Sequence, residues 1–79
     1  MEKFADRLKQ LRLEQGMTQG QLGEILGVKK YSIYTYEKER SGPDIDGLIA
    51  LADFFEVSID YLVGRTDKRE INRWRVHYN

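Results

Sequence analysis

Apolar residues recur along most of the chain at intervals of three and four, with polar residues filling the positions between them. Phe4, Leu8 and Leu11 keep the i, i+4, i+7 spacing of one helix face, and Gly16 follows as a stop signal, which predicts a first helix over about 2–15. In MTQGQL, Thr18 is a good N-cap, Gln21 completes a capping box three residues later, and Met17 can staple onto Leu22. Leu22, Ile25 and Leu26 make the inner face of the resulting second helix, about 18–26, which Gly27 ends. A third helix over about 29–38 begins almost at once, so the two must cross steeply. After the loop ERSGPD, Asp44 caps a fourth helix over about 45–55 whose inward residues are Ile45, Leu48, Leu51, Ala52 and Phe55. Ser58 caps a last short helix, about 59–63, stopped by Gly64. The expected fold is all-α: one domain over 1–65, then a tail over 66–79.

The tail fits two periods. Ile71, Trp74 and Tyr78 share a helical stripe, while Trp74, Val76 and Tyr78 alternate with Arg73, Arg75 and His77 at the period of a strand. A strand in an otherwise helical chain needs a second copy to pair with, so this segment is a possible site of dimerisation.

Composition narrows the chemistry. The chain has 79 residues, enough for one domain, and no cysteine, which removes disulfides and thiolate metal ligands. His77 is the only histidine, no Gly-rich phosphate loop is present, and no nucleophile has a plausible base beside it. Neither an enzyme nor a cofactor or metal site is expected. The longest apolar run, Leu48–Ala52, is too short to cross a bilayer, and MEKFADRLKQ lacks the features of a signal peptide, so a cytoplasmic protein without membrane partners is expected.

Formal net charge is zero but unevenly spread. Residues 1–40 hold eight Lys/Arg against six Asp/Glu, 41–64 carry Asp44, Asp46, Asp53, Glu56 and Asp60 with no base, and 65–79 have five bases against two acids. Within the first part, GVKKYSIYTYEKE (27–39) gathers three lysines and three tyrosines. On a helix, Ile33, Tyr36 and Glu37 fall on one side and Lys30, Tyr31, Tyr34, Thr35 and Lys38 on the other. An exposed face of that kind suits the DNA major groove, roughly 12 Å wide, and helix N-termini near Gln19 and Lys29 would add amides for phosphates.

These residues also carry a resemblance. From about Arg7 to Arg65 the chain combines L-R-x-x-x-G-x-T-Q, L-x-x-x-L-G-V, I-x-x-Y-E and L-x-x-L-A-D-F-F-x-V-S-x-D-Y-L-x-G, and so resembles the Cro/CI-type helix-turn-helix family, also called the xenobiotic-response-element family. The resemblance implies a five-helix DNA-binding domain of the lambda-repressor type, with the helix-turn-helix over about 18–38. It implies a transcriptional repressor acting as a homodimer on double-stranded DNA with a near-palindromic operator. It further implies that Lys30, Tyr31 and Thr35 face base edges with Tyr34 at the rim. By the same resemblance Gln19 would contact phosphate and Arg12 would pair with Glu37. The exposed face itself adds Thr18, Lys29, Ser32, Lys38 and Arg40 as expected phosphate contacts and Tyr34 as a base-reading residue beside Lys30, Tyr31 and Thr35.

Several positions depart from the family pattern. Lys29 stands where a capping serine is common, Gly23 where alanine is usual, and Glu39 and Glu56 where glycines are common. These changes imply modest stability. A different use of the same fold, as a protein-interaction module or antitoxin, would draw on the acidic segment 44–60 and the apolar tail.

Overall fold

The computed structural model describes residues 2–71 and has five helices and no strand among them. Helix α1 spans Glu2–Glu14, α2 Gln19–Leu26, α3 Lys30–Glu37, α4 Ile45–Phe55 and α5 Ile59–Leu62. These bounds depart from those expected by no more than one residue at either end. The alternative helix and strand readings of the tail rest on residues through Tyr78 and so lie largely outside the described residues.

Local chemistry explains the helix ends. Thr18 and Gln21 form the expected capping box: the Gln21 amide donates to Thr18 Oγ1 at 3.0 Å, and the Thr18 amide donates to Gln21 Oε1 at 2.8 Å. Asp44 accepts from the Gly47 amide at 2.7 Å and Ser58 from the Tyr61 amide at 2.9 Å. Lys29 caps α3 without any side-chain bond, as its departure from serine implies. Glu56, at φ 55, closes α4 in the left-handed region where glycine is the unstrained choice.

One core joins the helices. Phe4, Leu8 and Leu11 from α1 meet Leu22, Ile33, Leu51, Ala52, Phe55, Tyr61 and Leu62, with Val57 from the α4–α5 turn. Met17, Leu26, Val28, Tyr36 and Leu48 pack around it. Two residues assigned inward by periodicity lie outside this core. Ile25 and Ile45 are exposed, Ile45 by 76%. On α4 the buried face runs through Leu48, Leu51, Ala52 and Phe55, and Ile45 and Ile49 sit about 40° apart on its flank, so the apolar arc is wider than its neighbours cover.

The chain after α5 folds back onto α1. The Arg7 guanidinium donates to the carbonyl of Tyr61, to the carbonyl of Thr66 at 2.7 Å and to Asp67 Oδ1 at 2.7 Å, and lies 4.2 Å from the Tyr61 ring centroid. Arg69 donates both terminal nitrogens to Glu14, at 2.9 and 2.8 Å, and its Nε to Tyr61 Oη at 3.2 Å. The Ser58 amide donates to the Arg69 carbonyl at 2.9 Å. Contacts with the domain therefore continue through Arg69, past the boundary expected at 65. No described helix is long and apolar enough to cross a membrane.

Candidate nucleic-acid interface

A close approach of backbones sets the angle between α2 and α3. A Cβ built on Gly23 would stand 2.8 Å from the Val28 carbonyl oxygen and 3.3 Å from the Lys30 nitrogen, so the turn packs directly on the α2 backbone. Gly27 ends α2 at φ 72, and the Val28 amide returns to the Gly23 carbonyl at 2.9 Å. Only three residues then separate the two helices, and α3 leaves the turn with Ile33 fully buried.

Arg12 and Glu37 hold the inner side of α3. Arg12 Nε donates to Glu37 Oε2 at 2.7 Å and Nη2 to Oε1 at 3.0 Å, while Nη1 donates to the Met17 carbonyl at 2.8 Å. Gln19 adds an amide hydrogen to Glu37 Oε1 at 3.2 Å. The two charged side chains are 9% and 3% exposed, and this bidentate geometry satisfies both without water. The structure thus brings Arg12 to Glu37 as expected. It also gives Gln19 a role that the sequence did not indicate: one of its two N–H groups ties the start of α2 to the end of α3.

On the outer side, Thr18, Lys29, Lys30, Tyr31, Lys38 and Arg40 are exposed, and Gln19, Ser32 and Tyr34 are half-buried. The Tyr31 and Tyr34 rings stack, with centroids 6.0 Å apart and planes 26° from parallel. Lys38 Nζ lies 5.8 Å from the Tyr34 centroid, within cation–π range. Lys38 thus stands beside the tyrosine pair, and Lys29, Lys30 and Arg40, with the acid Glu39, are exposed in the same segment of chain. Among the described residues no group of three or more His, Cys, Asp or Glu is placed to hold a metal.

Thr35 is the correction. It was expected on the exposed face with Lys30 and Tyr31, but it is 9% exposed. Its hydroxyl donates to the Ser32 carbonyl at 2.8 Å and lies 2.7 Å from Ser41 Oγ. Since the Thr35 hydrogen is spent on Ser32, Ser41 is the donor in that second bond. The cause is the loop after α3: Glu39 adopts φ 61, the Arg40 amide reaches back to the Thr35 carbonyl at 2.9 Å, and Ser41 is carried over the Thr35 side chain. Helical spacing cannot show a cover supplied by a loop. The one signal for it was Glu39 in a glycine position.

A helix-turn-helix family model matches residues 8–62. Among curated proteins, the uncharacterized HTH-type transcriptional regulator YobD of Bacillus subtilis is 42% identical over 81% of this chain and 57% of its own length. The cryptic phage CTXphi transcriptional repressor RstR of Vibrio cholerae is 34% identical over 86% of this chain and 62% of its own. The chain thus spans about three fifths of each of these relatives. Among solved structures, the P22 c2 repressor in complex with a synthetic operator is similar at a TM-score of 0.73 and 27% identity, over 78% of this chain and 94% of that one. With its motifs, its five helices and its α2–turn–α3 unit all in agreement, the chain belongs to the Cro/CI-type helix-turn-helix family.

Proposed function

We propose that this chain is a sequence-specific DNA-binding transcriptional regulator, a repressor, that lays α3 in the major groove as one half of a homodimer on a near-palindromic operator. The observation that carries the reading is the division of α3. Ile33 and Glu37 lock its inner side to the core, and Lys30, Tyr31, Tyr34 and Lys38 are left on the outer side. The P22 c2 repressor, solved on an operator, lends the same fold to the same use. An α-helix with its side chains is about 10–12 Å across, which matches the roughly 12 Å width of the groove.

In this reading Lys30, Tyr31 and Tyr34 meet base edges. Thr18, Gln19, Lys29, Ser32, Lys38 and Arg40, with the first amides of α2, contact phosphates and set the register. Thr35 leaves the base-reading set and becomes the residue that fixes the loop bearing Arg40 and Ser41. Two copies read half-sites about one helical turn apart, in the cytoplasm, and no catalytic step is involved. Because charge is balanced overall, binding to arbitrary DNA is weak and falls steeply with salt.

Selection of random-sequence duplexes by the full chain at low salt tests the proposal. An enriched palindrome is expected, and Lys30→Ala should lower discrimination at one base pair per half-site by roughly 1–3 kcal/mol. Recovery of no preferred duplex overturns it. That outcome would favour the protein-interaction reading, which the exposed Ile45, Ile49 and Ile59 of the acidic segment support.

A further inference from the structure

The exposed end of α3 makes a finer chemical demand, one that rests on the DNA-binding reading and narrows it to a single group. Tyr31 is the second residue of α3 and is 66% exposed, the most exposed aromatic side chain described. Its ring is braced: it stacks on Tyr34, and the Lys38 ammonium lies over the Tyr34 ring in turn. Residues 31, 34 and 38 therefore form a ladder along the outer side of the helix, apolar at its N-terminal end and charged at its C-terminal end.

A recognition helix meets base edges with its N-terminal residues, which is where the apolar end of this ladder lies. Nearly every group on the floor of the major groove is a hydrogen-bond donor or acceptor. The face and edge of an aromatic ring offer these groups only weak N–H···π and C–H···O contacts in return for lost water. The exception is the C5-methyl of thymine, the one apolar group presented there. A ring held by stacking loses little further freedom on contact, so burying that methyl against it is a nearly free gain.

We propose that Tyr31, braced by Tyr34, reads the C5-methyl of one thymine in each half-site, and that the ring rather than the hydroxyl does so.

The full chain is tested with the duplex it enriches from a random library, resynthesised with deoxyuridine replacing thymidine one position at a time. Uracil keeps every hydrogen-bonding group and lacks only the methyl. One position per half-site should weaken binding about fourfold on losing it, the value of one buried methyl. Tyr31→Phe should keep that penalty, and Tyr31→Ala should bind the two duplexes equally well, closing a double-mutant cycle. Circular dichroism should show unchanged helix content in both variants.

The inference is overturned if no position in the enriched duplex responds to uracil, if the penalty survives intact in Tyr31→Ala, or if Tyr31→Phe loses it as completely as alanine does. The first of these needs only the unaltered protein. An enriched duplex indifferent to uracil defeats this inference alone, whereas failure to enrich any duplex defeats the DNA-binding reading and this one with it.

Discussion

Arg7 and Arg12 lie five residues apart on α1, and each guanidinium gathers three oxygen acceptors, yet their surroundings differ in a way that decides what each contributes. Arg12 reaches α3, where its partner Glu37 is 3% exposed. Arg7 reaches the chain after α5, where its partner Asp67 is 92% exposed. The pair under α3 is sealed from water and can neither be screened nor replaced by solvent if broken. The pair at the other junction lies open to water, and most of what Arg7 gains there comes from two carbonyls and the Tyr61 ring. The helix assigned to DNA is thus anchored from behind by a buried ion pair, whereas the chain after α5 is held partly by an open one.

Breaking each pair in turn gives the largest expected effect. Glu37→Ala leaves the Arg12 guanidinium buried with no counter-charge, which should cost about 3–5 kcal/mol. Against the roughly 5–15 kcal/mol of a small domain, that lowers the thermal transition by tens of degrees or abolishes it. Asp67→Ala should cost less than about 1 kcal/mol, as exposed pairs do. Urea unfolding followed by circular dichroism measures both. Similar losses in the two variants would erase the contrast. Arg12→Met with Glu37→Leu should recover most of the single-site loss, because an apolar pair of similar volume avoids stranding a charge.

An intermediate effect comes from the helix ends. Glu39 after α3 and Glu56 after α4 both hold positive φ, at 61° and 55°. Relieving the strain of a side chain there, less the entropy that glycine adds to the unfolded chain, should stabilise Glu39→Gly and Glu56→Gly by roughly 0.5–1 kcal/mol each. The two differ in what else they change. Glu39 lies between Lys38 and Arg40 on the outer surface, so its removal should also tighten DNA binding several-fold at low salt, an advantage that shrinks as salt rises. Glu56 carries no such effect. Equal gains in DNA affinity from both variants would remove Glu39 from the interface.

Helix positions, caps and the three-residue turn between α2 and α3 were legible in the sequence because each depends on residues within about one turn of one another. Thr18 with Gln21, Gly23 and Gly27 are of this kind. Contacts between distant segments were not legible. The Thr35–Ser41 bond needs the loop to double back, and the Arg7 and Arg69 clamps need the chain after α5 to return to α1 across more than 50 residues. Arg12–Glu37 is also distant, and it was anticipated only through the family resemblance. Periodicity likewise set the apolar face of α4 but not how much of it neighbours would cover, which is why Ile45 proved exposed.

The smallest expected effect tests the open junction by pH. Hydrogen bonds from Arg69 hold the Glu14 carboxyl below its ordinary pKa, and the same contact raises the Arg69 guanidinium, which stays charged throughout. A carboxylate with a lowered folded value contributes stability that is fully present above the ordinary glutamate value of roughly 4.3. That contribution disappears as pH falls through the lowered value, since protonation ends its acceptance from both Arg69 nitrogens. Glu14→Gln should therefore lower the urea midpoint slightly at pH 7 and leave it equal to that of the unaltered chain well into the acid range. The gap at pH 7 should also narrow in salt, because Glu14 and Arg69 are both two-fifths exposed. A gap that persists unchanged at low pH would mean that the Glu14 contact acts through packing rather than charge, and the two junctions would then differ in shape more than in electrostatics.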